Sequence, residues 1–495
     1  MRHLMGVDIG SFSAKGVLLD ERGRIVATAT RKHEMRVPGP GLAEHDAEAD
    51  WWDGFRLISR RLIEEAGVEP GAIAAVGTSG IGPCVLPVDE NGSPLRSAIL
   101  YGVDTRAARE IAELDALIGA DRVIERTGNA LTTQSVGPKI RWLRRHEPEI
   151  CARTRHIVGC PTYLVHRLTG RTIVDHYGAS CYTPCYDLST RGWADDLTDG
   201  VGPVDWLPEI GWTTDIAGAV TAEAAAVTGL AAGAPVIVGT IDAAAEAISV
   251  GVTSPGDLMI MYGTTAFFIQ VNDRRAVDPR CWAAPFLFSD GWATMGGAAT
   301  SGALTEWFKS EIARLGDEPT AFERLMEEAA ASPPGAHGIL VLPYFSGERT
   351  PINDPAAKGL FFGLTLAHRR GDLYRAVIEG IGHAIRHNLD TFAEVAPARR
   401  VYAVGGGVKN PIWTQCVSDI CGVIQIVRAH TVGAALGSAF LAGVGAGVFD
   451  RNDIETINPV ASVVSPRNEL RARYDHDHAA YLKLYERTKD LMAGR

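Results

Sequence analysis

The 495-residue sequence has no excess of positive charge: its formal net charge is −11. That excludes a general nucleic-acid binder, a class marked by a basic balance or a basic stripe. The eight cysteines lack metal-ligand spacing, the closest pairs being Cys181-x3-Cys185 and Cys416-x4-Cys421. The thiols are therefore expected to be buried or free rather than paired or metal-bound. The opening stretch MRHLMGVDIG has no long apolar segment of the kind that directs secretion, so a cytoplasmic protein is expected. The Gly-x4-Gly-Lys-Ser/Thr phosphate loop is missing, and no Ser/His/Asp set or nucleophilic cysteine can be assigned. Any phosphate site must be built another way. There is no short-period repeat and no low-complexity segment. Residues 431–449 carry no charge and are long enough to suggest a membrane span. They are, however, mostly Gly, Ala, Val and Ser, with only two Leu and two Phe, and they lack basic flanks. A helix buried inside an α/β domain, with no membrane partner, is the expectation.

What the chain does contain is an ordinary α/β composition, 46% hydrophobic and 22% charged, and length enough for two or three domains. One local design occurs twice. Residues 4–9 read as a strand, Gly10-Ser11-Phe12-Ser13 as a tight polar turn and 16–19 as a second strand; a third, 24–29, follows the turn Asp20-Glu21-Arg22-Gly23. Far downstream, apolar 258–261, then Gly263-Thr264-Thr265, then apolar 266–271 repeat its core. Glycine and hydroxyl residues at a hairpin bend let backbone N–H and side-chain O–H groups converge on an anion, above all phosphate. Two such bends, each opening its own half of the chain, point to two similar domains facing across one nucleotide, and so to a phosphotransferase.

Between the bends, Trp51, Phe55, Ile58 and Leu62 follow helical spacing, with Asp50 positioned as an N-cap. Residues 73–76 and 85–88 read as strands, with a hairpin turn at Asp89-Glu90-Asn91-Gly92. A long polar middle, roughly 117–212, mixes helices and loops and is where substrate specificity is expected to be shaped. Strand 236–238 runs into Gly239-Thr240-Ile241-Asp242, and 243–250 reads as an apolar helix, which puts Asp242 at a strand-to-helix junction. Further on come a strand at 339–342, a helix at 372–392 with Leu373, Val377, Ile381 and Ile385 on one face, and a strand at 400–404. Gly405-Gly406-Gly407 and a helix from about Asn410 follow, a turn that lets a ligand approach the backbone.

Four side chains are candidates for chemistry, each with a plainer alternative. Asp8 ends the first strand beside the first bend and is placed to hold Mg²⁺ through water, or is a turn aspartate. Lys15 offsets phosphate charge, or is a solvated lysine. Asp242 is a candidate general base for a sugar hydroxyl, or a helix N-cap. Asp104, in Tyr101-Gly102-Val103-Asp104-Thr105-Arg106, binds sugar hydroxyls or pairs with Arg106. Lys139 and Trp142 read first as one face of a helix.

Together these residues resemble the FGGY family of carbohydrate kinases, members of the sugar kinase/actin/Hsp70 ATPase superfold. Gly6-Val7-Asp8-Ile9-Gly10-Ser11-Phe12-Ser13-Ala14-Lys15 looks like its first phosphate motif, and Pro138-Lys139-Ile140-Arg141-Trp142-Leu143 resembles its first signature. Gly359-Leu360-Phe361-Phe362-Gly363-Leu364 with Asp372-Leu373-Tyr374-Arg375-Ala376-Val377-Ile378-Glu379 resembles the second, and Val404-Gly405-Gly406-Gly407-Val408-Lys409-Asn410 the adenosine motif. The resemblance runs from Gly6 to about Phe449. It implies an α/β fold of two actin-like (ribonuclease H-like) domains, residues 1–245 binding sugar and phosphate and 246–495 binding nucleotide, with ATP in the cleft. It further implies that Ser11, Ser13, Lys15, Gly263 and Thr264 lie at the phosphates. Gly302, Glu306, Gly406 and Asn410 would line the nucleoside, Asp8 would organise Mg²⁺, and Asp242 would be the catalytic aspartate. Gly82, Pro83, Asp104 and Asp242 fall at the substrate. Xylulokinase-like members carry Gln-Met-His-Gly where this chain has Ile81-Gly82-Pro83-Cys84, and Trp-Asn-Asp-x-Arg where it has Gly102-Val103-Asp104-Thr105-Arg106 after Tyr101. A pentulose such as xylulose is the expected substrate, with another ketose, a polyol, an aldonate such as gluconate or a signalling pentanedione as alternatives. A non-catalytic ATP-dependent binding protein is the alternative from another class. A homodimer is the base-rate expectation.

Overall fold

The computed structural model describes residues 1–316 and 318–493. They form two compact units: residues 1–253, 273–293 and 432–458 make the first, and 254–272, 294–431 and 459–495 the second.

The first unit is built on a mixed sheet with strands in the order Ile216–Ala219, Pro235–Ile237, Ile73–Gly80, His3–Ile9, Ser13–Asp20 and Ile25–Lys32. His3–Ile9 pairs antiparallel with Ser13–Asp20 and parallel with Ile73–Gly80, and it is buried throughout. Cross-strand partners share a face. Val7 and Gly16 thus look to one side, and Gly6, Val17 and Gly77 to the other. On the first side lies the helix Asp53–Ala66, whose Phe55, Ile58 and Leu62 are buried. A Cβ on Gly16 would stand 2.3 Å from Cγ2 of Ile58. On the second side lies the helix Ala434–Gly445, buried from Ala434 through Gly443. Its backbone meets the strands directly: a Cβ on Gly6 would be 2.2 Å from the carbonyl oxygen of Ala435, and one on Gly77 2.2 Å from that of Ser438. This is the uncharged run 431–449, folded as a buried helix. Among the described residues no helix is long and apolar enough to cross a membrane.

Asp50 does not cap the helix at 53–66. The chain enters through a wider π-type turn, Ala47–Trp52, capped by Asp46, whose Oδ1 accepts from the N–H groups of Glu48 and Ala49 at 3.1 Å each. Asp50 instead accepts from Asp46 N–H at 2.8 Å. The extra residue in the turn moves the cap four positions upstream of where a regular helix would place it. The polar middle segment encloses a core of its own, in which Leu114, Val123, Ile140, Leu143 and Val201 pack together.

The second unit repeats the plan. Asp257–Tyr262 pairs antiparallel with Ala266–Asn272 and parallel with Arg400–Val404, within the order Trp292–Ala298, Ala266–Asn272, Asp257–Tyr262, Arg400–Val404, Gln425–Arg428, Val460–Val464. The long helix Arg370–Val395 buries Val377, Ile381 and Ile385 of the expected face and Leu373 only in part, and residues 374–386 are buried on every side. Gly380 lets the carbonyl of Val341 approach; a Cβ there would be 2.6 Å away.

Glu348 is buried in this unit, its Oε1 accepting from the N–H groups of Ala299 (2.6 Å) and Arg349 (2.8 Å), and burial pushes its carboxyl up to about 7. A raised carboxyl pKa means the folded state binds the proton more tightly than the unfolded chain. The stability this supplies is complete below the ordinary glutamate range and is lost as pH rises through about 7. Glu348→Gln keeps the acceptor and has no proton to lose. Between pH 5 and 8 the native protein is expected to lose about 1–3 kcal/mol more stability than the variant, read from urea midpoints at the two pH values. Parallel pH profiles would show that Glu348 carries no such linkage.

Candidate active site

In the first unit the bend at residues 10–13 closes on itself, Gly10 N–H donating to Ser13 O at 2.9 Å. Two histidines hold it from behind: His33 contacts Gly10 O through Nε2 at 2.9 Å, and His45 contacts Ser11 O through Nε2 at 3.1 Å. Trp51 Nε1–H donates to His45 Nδ1 at 3.1 Å. An indole only donates, so Nδ1 is an acceptor and the His45 proton sits on Nε2, facing Ser11. Burial, reinforced by His33, pushes His45 down to about 4 and keeps it neutral. Phe12 at the tip is exposed, Ser11 and Ser13 are half-buried, and Lys15 reaches solvent from the second strand.

Asp8 is buried at the end of the first strand, opposite Lys15 on one neighbour and Ser79 on the other. Ser79 Oγ–H donates to Asp8 Oδ1 at 2.8 Å. Burial raises the carboxyl to about 6, against the opposing effects of the Ser79 bond and the Lys15 charge. Asp242 opens the helix Asp242–Ser249 directly after the short strand Thr240–Ile241, the junction expected from the sequence. It does not act as an N-cap: the cap position is Ile241, and among the described residues the Asp242 carboxylate accepts only the adjacent Ala243 N–H, at 2.8 Å. Burial first, then Asp8 and Glu246, hold its carboxyl well above the usual carboxylate range. Glu246, one turn on, is pushed up to about 7 by burial and by Asp8. The sequence reading passed over Glu246; its i+4 spacing from Asp242 is the signal that places both on one helix face.

The wall of a pocket in this unit includes Ile81, Gly82, Pro83, Cys84, Asp175 and Ile241, the last immediately before Asp242. Gly82 and Pro83 thus share this wall with Ile241. Asp175 caps the helix His176–Ser180, accepting from Gly178 N–H and Thr213 Oγ1–H, and burial raises it to about 6. Burial also pushes the Cys84 thiol up; among the described residues no cysteine forms a disulfide.

Asp104 is not in this wall. It is fully buried, takes the Ala43 N–H at 2.8 Å and holds Arg106 by a bidentate pair, Nη2 at 2.7 Å and Nε at 2.9 Å. Of its two readings, the pairing with Arg106 is the one present. Lys139 and Trp142 lie on the helix Val136–His146, as expected, but Lys139 is buried; its Nζ donates to the carbonyls of Leu100 (2.6 Å) and Tyr101 (3.0 Å), and desolvation lowers it to about 8.

In the second unit the bend at residues 263–265 is stitched to the start of the helix Gly302–Trp307. Ser301 and Ala303 N–H donate to Thr264 O, and Gly302 N–H to Gly263 O. A Cβ on Gly302 would be 2.7 Å from Gly263 O, so only glycine permits the contact. Thr300 and Ser301, absent from the sequence reading, bury their hydroxyls here without a partner. Gly405 takes φ 97° against Tyr262, and Gly406 presents a face with nothing within 4 Å of its missing Cβ. Asn410 caps the helix Pro411–Cys421 through Oδ1. Glu306 is exposed and paired with Lys309 at 2.6 Å.

These surroundings fit a phosphate-bearing nucleotide and its cation in kind. Glycine-lined backbone and unpartnered hydroxyls suit phosphate and nucleoside. A single carboxylate with a free oxygen suits Mg²⁺, which keeps most of its ligands as water and phosphate. Among the described residues no group of three or more His, Cys, Asp or Glu side chains is arranged to hold a metal by itself.

Residues 3–249 match the N-terminal domain of the FGGY family of carbohydrate kinases and residues 258–446 its C-terminal domain. The chain is 31% identical to a xylulose kinase of Escherichia coli over 99% of its own length and all of that protein. It is 26% identical to a gluconokinase of Bacillus licheniformis, over 95% of this chain and 93% of that protein. The solved structure of a xylulose kinase from Rhodospirillum rubrum superposes with a TM-score of 0.93 at 32% identity, covering 99% of this chain and 100% of that one.

Proposed function

This chain belongs to the FGGY family of carbohydrate kinases, and from that premise we propose that it uses ATP and Mg²⁺ to phosphorylate a hydroxyl of a pentulose such as xylulose. The observation that carries the reading is the position of Asp242: a desolvated carboxylate beside Asp8 of the phosphate bend, one residue from the wall that Gly82 and Pro83 help to form. A sugar hydroxyl is a poor nucleophile at neutral pH. A carboxylate whose proton affinity has been raised by burial takes its proton as attack proceeds.

Ser11, Ser13, Lys15, Gly263 and Thr264 contact the phosphates. Gly302, Glu306, Gly406 and Asn410 line the nucleoside. Asp8 holds the cation, which when bound offsets charge on the transferring phosphoryl group. The Lys15 ammonium and the N–H groups of the two bends add to that stabilisation. Asp104, saturated by Arg106 and Ala43, supports the loop before the substrate rather than offering a free oxygen.

A second reading, an aldonate acceptor such as gluconate, draws on the gluconokinase similarity and on Pro83, which stands where xylulokinase-like members have histidine. Coupled ADP release with Mg-ATP across ketoses, polyols and aldonates separates the two. A pentulose is expected to give turnover that disappears in Asp242→Asn. Turnover confined to an aldonate replaces the pentulose reading, and silence across the panel with ATP still bound removes both.

A further inference from the structure

Asp8 is held by a chain of hydroxyls that begins on the helix Ala434–Gly445. Ser438 Oγ–H donates to Ser79 Oγ at 2.8 Å, and Ser79 Oγ–H donates to Asp8 Oδ1 at 2.8 Å. Ser438 and Ser79 are 1% and 0% exposed, so each bond is made where an unmet polar group costs most. A serine in a helix interior ordinarily turns its hydroxyl back to a carbonyl of its own helix. Here it reaches across to a strand, and the missing side chain of Gly77 is what allows the approach: a Cβ there would lie 2.2 Å from Ser438 O.

The direction of the chain is fixed by its end. A carboxylate only accepts, so Ser79 must donate to Asp8 and must therefore accept from Ser438. With Oδ1 occupied, the carboxylate plane is set. Oδ2 is left on the side of the bend at residues 10–13, 3.9 Å from where a Cβ on Gly10 would stand.

We propose that Ser79 and Ser438 are positioning residues for Asp8, orienting its Oδ2 toward the divalent cation that accompanies the nucleotide. The proposal rests on the assignment of Asp8 as the cation-organising carboxylate. Groups that orient a ligating carboxylate typically change metal affinity about 10–100-fold when removed.

The test is the affinity of Mn²⁺ for the enzyme–ADP complex, followed by loss of the free-ion EPR signal, in the native protein and in Ser79→Ala, Ser438→Ala and Asp8→Asn. Ser79→Ala is expected to raise the Mn²⁺ Kd by about 10–100-fold. Ser438→Ala should move it in the same direction by less, because Ser79 keeps its own bond to Asp8. ADP affinity without metal should stay at the native value in both, which a general loosening of the fold would not allow. A native Mn²⁺ Kd in both serine variants beside a raised one in Asp8→Asn overturns the relay and leaves the assignment of Asp8 standing. A native Kd in all three overturns both. Metal-free ADP binding that falls in step with Mn²⁺ binding overturns the positioning role in favour of a purely structural one. If Ser79→Ala does not fold, Ser438→Ala carries the test, since it leaves the strand's own sequence intact.

Discussion

Asp242→Asn is expected to lower kcat by roughly 10²–10⁴-fold, the range for a lost general base, while ATP still binds. Asparagine is nearly isosteric, and its Oδ1 still accepts the Ala243 N–H that Asp242 takes at 2.8 Å. What it loses is the ability to receive the hydroxyl proton. The neutral amide also ends the like-charge interaction by which Asp8 and Glu246 raise Asp242. Nucleotide affinity should therefore be preserved or improved as turnover collapses. Coupled ADP release gives kcat, and calorimetric titration with the nucleotide gives the binding term. Near-native turnover would remove Asp242 from the role of base. A collapse in nucleotide binding of the same size as that in kcat would assign it to the phosphate site instead.

The second large effect is on stability. Gly437→Ala exchanges a poor helix former for the best one, in the middle of a helix, and on propensity alone should stabilise by about 1 kcal/mol. The packing predicts the opposite. A Cβ on Gly437 would stand 1.9 Å from the carbonyl oxygen of Ala245 and 2.7 Å from its carbon. Both are backbone atoms of the helix Asp242–Ser249, so no rotamer change relieves the clash and the two helices must part. Destabilisation of about 1–3 kcal/mol or more is expected, seen as a lower urea midpoint at unchanged m-value. Turnover should fall as well, because the displaced helix carries Asp242 at its first position. A midpoint above the native value would mean that the helices have room between them.

The parts of the fold that were legible in the sequence are those whose cause is local. Both hairpins were, because an apolar run, a glycine-hydroxyl bend and a second apolar run lie within a few residues. The helix Arg370–Val395 was readable from its period, though not its burial on every side, and the position of Asp242 was readable from a strand pattern giving way to a helical one. Where a local rule had two solutions, it misled. Asp46 and Asp50 are both good caps, and only the π-type turn decides between them. Asp104 and Arg106 are two residues apart in any conformation, and it takes burial to make their pairing obligatory. Lys139 is on a helix as read, but its burial was not legible, because the carbonyls that accept from its Nζ belong to Leu100 and Tyr101. Ser438 meets Ser79 across 359 positions, and nothing in its own neighbourhood of alanine and glycine marks it.

The first unit draws its buried helix Ala434–Gly445 from late in the chain, and this sets a schedule for its birth. Synthesis proceeds at about 5–20 residues per second, so roughly 20–90 seconds separate emergence of the strand His3–Ile9 from emergence of the helix that covers it. Until then one side of the sheet stays open to solvent or to a chaperone. The centre of that side is Gly6 and Gly77, with Asp8 and Ser79 at its end. Leu4, Val17 and Leu19 lie on the same side, so for that interval the unfinished sheet shows apolar side chains as well as backbone, and a chaperone that shields it until the helix arrives is expected to raise the yield of folded chain.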